Sequence, residues 1–135
     1  MRSIAALCLI LAPLAAAAQP LAGEVDGVRY LSGGADEAGR TAMRRDAEAF
    51  SLRLQFAAGE ERRYVSDVQV AVRDTDGEPV LDLPYAGPLL FLDLPTGHYV
   101  VHARLGDAVH TQVVAVGIRP GRIAAFHWPE HDPDG

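Results

Sequence analysis

The chain has 135 residues, 49% of them hydrophobic and 22% charged, with 13 Gly, 9 Pro, a single Cys and a formal charge of −6, which describes one small domain rather than a disordered or multidomain chain. All 12 basic residues are Arg, and both Lys and Asn are absent, which excludes a P-loop lysine, Schiff-base chemistry and Asn-linked glycosylation. The acidic balance, with no basic stripe, also offers nothing for a nucleic-acid backbone to bind.

The first element reads as a leader over residues 1–18. Arg2 supplies a short positive start, Ile4 to Leu14 form an apolar run interrupted only by Pro13, and Ala15 to Ala18 offer small residues before Gln19-Pro20. This is the pattern of a secretory signal cleaved after Ala18. The run is shorter than the roughly 20 apolar residues of a membrane-spanning helix. Cys8 lies inside the run, whereas a lipid-accepting Cys would follow it. The expectation is a periplasmic or secreted protein whose mature chain has no Cys and no membrane span, and which holds together by packing without disulfides.

Residues 19–34 read as an extended segment ending in a turn at Gly33-Gly34. Residues 35–50 read as a helix: they are rich in Ala, Glu and Arg, Ser32 stands upstream as a cap, and Asp36 and Glu37 lie where the helix dipole favours acids. The apolar stripe is narrow, essentially Met43, Ala47 and Phe50, and the interior Gly39 costs roughly 1 kcal/mol relative to Ala. Such a helix depends on docking against something else.

From residue 51 to residue 128 the chain reads as a β-sandwich. Gly77, Gly87, Gly97, Gly106 and Gly121 punctuate it at intervals of 10, 10, 9 and 15 residues, turn signals that indicate an all-β sandwich or barrel. Leu52, Leu54 and Phe56, then Val68, Val70 and Val72, alternate with more polar or smaller residues, which marks strands with one buried face. Val80 to Leu83, Leu89 to Leu94, Tyr99 to Leu105, Val109 to Val116 and Arg122 to Trp128 complete seven strands. Leu89-Leu90-Phe91-Leu92 is apolar throughout, so this strand is expected to be covered on both faces, with the helix as the second cover. The expected fold class is therefore mainly β: a seven-stranded antiparallel β-sandwich with one short N-terminal helix, followed by a polar tail over residues 129–135.

Several residues invite a chemical reading. His98, His102 and His110 fall near one hairpin and are the candidate metal ligands. His98 and His102 share a strand face but lie about 13 Å apart at roughly 3.3 Å per residue, and His102 and His110 meet only in the right register; the alternative is a set of solvent-face imidazoles. His127, His131 and Asp132 make a second group on a tail that would lose much entropy on becoming a ligand set. Asp74-Thr75-Asp76-Gly77 resembles the opening of a calcium loop, although a hairpin turn explains the same residues. Asp82 and Asp93 are a candidate carboxylate pair. Ser32, Ser51 and Ser66 are the serines of the mature chain, and none sits in a Gly-x-Ser-x-Gly elbow. Tyr64, Tyr85 and Trp128 lie at strand ends or turns and are the candidate ligand-binding surface for stacking against sugars or partners.

Two segments carry a family resemblance. Asp67-Val68-Gln69-Val70-Ala71-Val72-Arg73-Asp74 with Gly77, and Leu94-Pro95-Thr96-Gly97-His98-Tyr99-Val100-Val101, resemble the recurring strand motifs of carboxypeptidase regulatory-like domains, which are transthyretin-like or Cna-B-like sandwiches. The chain as a whole is also similar to small exported bacterial proteins of this type. The resemblance implies an accessory or carbohydrate-binding-like module without a catalytic zinc. Related hydroxyisourate hydrolases need a characteristic His, Arg and terminal Tyr-Arg-Gly-Ser set; this chain lacks that ending, so their activity is not implied.

Together these observations lead to the expectation of a non-enzymatic exported binding or accessory module of the cell envelope, with no catalytic residues and no cofactor. Its partner is expected to be an envelope protein or a glycan and not a nucleic acid. A carbohydrate-binding-like module and a His-dependent metal-binding protein are the alternatives.

Overall fold

The computed structural model describes residues 20–117 and 121–130; the leader, His131 and Asp132 lie outside them. Within these described residues ten strands form two sheets. The first sheet runs β1 (Leu21–Val25), β2 (Val28–Gly33), β7 (Leu89–Asp93), β3 (Leu52–Ala58), β10 (Arg122–Trp128), with the two-residue β4 (Arg63–Tyr64) also paired to β3. The second sheet runs β6 (Pro79–Ala86), β5 (Val68–Asp74), β8 (Gly97–Leu105), β9 (Ala108–Val116). Among the described residues no helix is long and apolar enough to cross a membrane.

The alternation read from the sequence sets the core. Leu52, Leu54, Phe56 and Ala58 of β3 are fully buried, as are Val68, Val70 and Val72 of β5. They meet between the sheets with Leu90, Leu92, Val101, Phe126 and Trp128 in one continuous apolar cluster. Side chains of the two inner faces interdigitate in this way because period-two alternation gives each sheet one apolar side.

The seven expected strands all form, and three more join them. β1 and β2 make a hairpin across Asp26-Gly27, both with positive φ (52° and 84°), the geometry of a two-residue turn that suits Asp-Gly. The segment before the helix is thus part of the sandwich: β2 lies between β1 and β7, and Val28 is in the core. The expected all-antiparallel arrangement also needs correcting. β10 runs parallel to β3, in register from Arg122 opposite Leu52 to Trp128 opposite Ala58. Parallel pairing is possible here because the chain crosses to the other sheet and back between the two strands, supplying the long connection that a parallel pair needs.

A second, smaller apolar cluster lies on the outer face of the first sheet. The helix α1 (Glu37–Arg45) and the 3-10 turn at Ala47–Ala49 place Met43, Ala47 and Phe50 against Leu31, Leu89 and Phe91. Leu89 and Phe91 therefore face the helix while Leu90 and Leu92 face the sandwich, so β7 is covered on both sides. The cap is Asp36 rather than Ser32: its Oδ1 accepts the Gly39 N–H at 2.7 Å. Ser32 is instead buried in β2, where its Oγ accepts the Gly87 N–H at 2.8 Å and links the two sheets.

Candidate functional site

The histidines separate. His102 is paired with Thr111 and His110 with Ala103 in the β8–β9 ladder. That one-residue offset sends the two imidazoles to opposite faces of the sheet. His102 Nδ1 lies 2.9 Å from Thr111 Oγ1, whereas His110 turns inward and sets its ring edge-on to Trp128, 5.1 Å between centroids. His98 is exposed on the outer face, four residues from His102. His127 Nε2 contacts the Gly59 carbonyl at 2.8 Å. Among the described residues no three metal-capable side chains come together.

The acids are similarly dispersed. Asp74 Oδ1 accepts the N–H groups of Asp76 and Glu78, each at 2.9 Å, and Gly77 takes a φ of 85°. The carboxylate that would open a calcium loop is thus spent on its own hairpin turn. Asp82 belongs to the second sheet and Asp93 to the first, so the two do not face each other across paired strands; Asp93 instead pairs with Arg29 at 3.4 Å.

The aromatic candidates also have distinct surroundings. Trp128 is 2% exposed, packs on Phe56 and Phe126, and donates its Nε1–H to the Ala108 carbonyl at 3.1 Å. It is core rather than surface. Tyr64, in the first sheet, is exposed with the Arg40 guanidinium 4.6 Å from its ring centroid, and Tyr85, in the second sheet, is 73% exposed. Tyr99, in the Leu-Pro-x-Gly-x-Tyr motif, is buried and donates its hydroxyl to the Pro95 carbonyl at 2.7 Å. Burial, and secondarily the Asp74 carboxylate, raise its phenol above the ordinary 10.0, which keeps it a donor.

The feature that stands out chemically is a backbone edge. An edge strand exposes a row of N–H and C=O groups that proteins usually blunt with Pro, charge, bulges or shortness. β6 is blunted by Pro79, Pro84, Asp82 and two register shifts. β1 has only five residues, including Gly23 and Glu24. At β10 the Ala125 carbonyl is already taken by Gln112 Nε2 at 2.6 Å. β9 has no proline, charge, bulge or short length to blunt it, and of its carbonyls that of Ala108, at its start, accepts the Trp128 Nε1–H. Its nine residues, Ala-Val-His-Thr-Gln-Val-Val-Ala-Val, include no Pro, Gly, acid, Arg or Lys, and its register with β8 is unbroken from Ala108 to Val116.

β9 is also held rigidly from behind. Val114 and Val116 are buried in the core, and the contacts from Gln112 to Ala125 and from Trp128 to Ala108 tie it to β10 through side chains. Its other face presents Val109, 52% exposed, and Val113, 66% exposed. Sequence reasoning found this strand but not its exposure. The available signal was a nine-residue β run without a charge or a breaker; what it lacked was the strand order that puts the run at an edge.

No protein-family model matches the chain, and no curated protein matches it.

Proposed function

We propose that this protein is a non-enzymatic envelope module that binds a partner protein by taking an extended segment of it as an added strand along β9. The observation that carries the reading is the unprotected nine-residue edge of β9, with Val109 and Val113 exposed beside it. In such a mode main-chain hydrogen bonds supply affinity, and alternate side chains supply specificity. The absence of Cys and Lys after residue 18 supports a binding role over covalent catalysis. The leader-like pattern of residues 1–18 supports an exported location. The resemblance to carboxypeptidase regulatory-like domains is part of the same proposal, supported by the pairing of its two motif strands, β5 and β8, as neighbours in one sheet.

The test is site-specific photo-crosslinking in an envelope extract. A photoreactive residue in place of Val113 should capture a discrete partner, and mapping the cross-linked peptide should identify one extended segment. The Val109→Lys, Val113→Lys pair, which adds charge to the edge strand, should abolish capture through a photoreactive residue placed at Thr111. Equal capture from Glu78, at the β5–β6 turn on the far side of that sheet, or capture indifferent to the two lysines, would sink the idea.

A carbohydrate-binding reading rests on Tyr85, the most exposed large aromatic. A glycan-array signal lost in Tyr85→Ala would favour it.

A further inference from the structure

A separate site lies on the outer face of the first sheet, away from β9. Between the helix, β3, β4, β7 and β10 there is a cavity of about 160 Å³ whose walls include Arg44, Arg53, Tyr64, Leu89, Phe91 and Ile123. Among the described residues no carboxylate lines it, although the chain carries a net charge of −6. Arg53 reaches it from the outward side of β3. One arm of its guanidinium donates to the Gly121 carbonyl at 3.1 Å, while its Nε is buried with no hydrogen-bond partner. A buried donor left unsatisfied is costly, and it belongs to a residue that lines the cavity. Arg44, in the last turn of α1, is exposed at the rim. The Arg40 guanidinium over the Tyr64 ring fixes a further wall and adds positive charge.

Apart from Gln55 and the Tyr64 hydroxyl the remainder of the lining is apolar, so the site has a charged end and a largely apolar body. A cavity near 150 Å³ is about the size that accommodates one benzene ring. We propose that this pocket binds a small monocarboxylate with a single aromatic or branched aliphatic body, its carboxylate held by Arg53 and Arg44 and its body set against Leu89, Phe91 and Ile123. Guanidinium suits this role because its planar fork matches a carboxylate and remains charged at every physiological pH.

Benzoate is the probe, titrated into the protein by calorimetry and by backbone-amide NMR. Saturable binding with shifts confined to α1, β3, β4, β7 and β10 is expected. Arg53→Met should weaken it by at least about tenfold, as loss of a charge-assisted contact does. Arg44→Met, at an exposed position that does not support the core, should weaken it about threefold or more. Benzamide, which has the same body without the charge, should bind at least about tenfold less tightly. Failure of benzoate to saturate by roughly 10 mM, which leaves less than about 3 kcal/mol of binding energy, overturns the proposal. So does equal affinity for benzamide, or for sulfate, which lacks the apolar body. If Arg53→Met does not fold, Arg44→Met decides: unchanged benzoate affinity in that variant also overturns it.

Discussion

Ser51 and Leu94 close a two-bond ring: the Ser51 Oγ accepts the Leu94 N–H at 2.9 Å and donates to the Leu94 carbonyl at 2.8 Å. The serine hydroxyl thereby continues the β3–β7 ladder past Leu52 opposite Leu92, its last backbone pair. Ser51→Ala leaves both Leu94 groups without this partner in a part-buried setting, and should cost about 1–3 kcal/mol. Urea unfolding measures it. A change in midpoint equivalent to less than about 0.3 kcal/mol would mean that water replaces the hydroxyl without loss.

Tyr99 provides a pH-dependent prediction. Its folded phenol titrates above the unfolded chain's 10.0 because it is buried and lies near Asp74. The stability linked to this shift is fully present below pH 10 and is lost as pH rises from there through the folded value, because the unfolded state releases its proton first. Tyr99→Phe removes the bond to Pro95 and should lower stability by about 1 kcal/mol at neutral pH. It should also make stability fall less steeply than in the unaltered protein between about pH 9 and pH 11. Parallel melting curves of the two proteins across that range check both effects; identical slopes would refute the linkage.

Trp128 is the sole tryptophan and reports on the corner where β9 meets β10. Its emission should be that of a buried indole, with little quenching by acrylamide in the folded state. Trp128→Ala should destabilise the protein by about 3–5 kcal/mol through the cavity that it leaves among Phe56 and Phe126. Trp128→Phe should retain part of that packing but lose the bond to Ala108. Chemical denaturation of the two variants should therefore rank the unaltered protein first, Phe second and Ala last.

Gly87 sits where β2 and the end of β6 touch. A Cβ there would stand 2.8 Å from the Gly33 carbonyl oxygen and 2.9 Å from its Cα, both backbone atoms that cannot rotate away. Gly87→Ala is expected to cost about 1–3 kcal/mol by forcing the sheets apart. It should also raise amide exchange in β2, since the bond from Gly87 to Ser32 would lengthen. Unchanged exchange at Leu31 and Ser32 would show that the junction yields elsewhere.

The sequence was most legible where local chemistry and burial agree. Four apolar residues in a row at Leu89–Leu92 implied two covers, and both are present, because an odd and an even side chain of one strand must point opposite ways. The β1–β2 hairpin was missed although Asp26-Gly27 is a strong turn signal. Its first strand is mostly exposed, so Leu-Ala-Gly-Glu-Val shows no apolar alternation to read. The cap moved from Ser32 to Asp36 because a hydroxyl needed inside β2 cannot also serve a helix four residues on. The parallel partner of β3, the edge position of β9 and the cavity beside Arg53 were not legible. Each depends on which distant strands lie side by side, and no local pattern encodes that.

The β3–β10 ladder has a consequence for the order in which the molecule assembles. It joins positions some seventy residues apart, so β3 has no neighbour on that side until the last strand of the sandwich has been synthesised. Closing so large a loop is slow compared with forming hairpins such as β8–β9. Phe126 and Trp128, which complete the apolar cluster around Phe56, arrive with that strand. On this topology the first sheet is sealed only when β10 docks beside β3. A ribosome still holding residues 122–128 would hold a chain that has not yet closed its core.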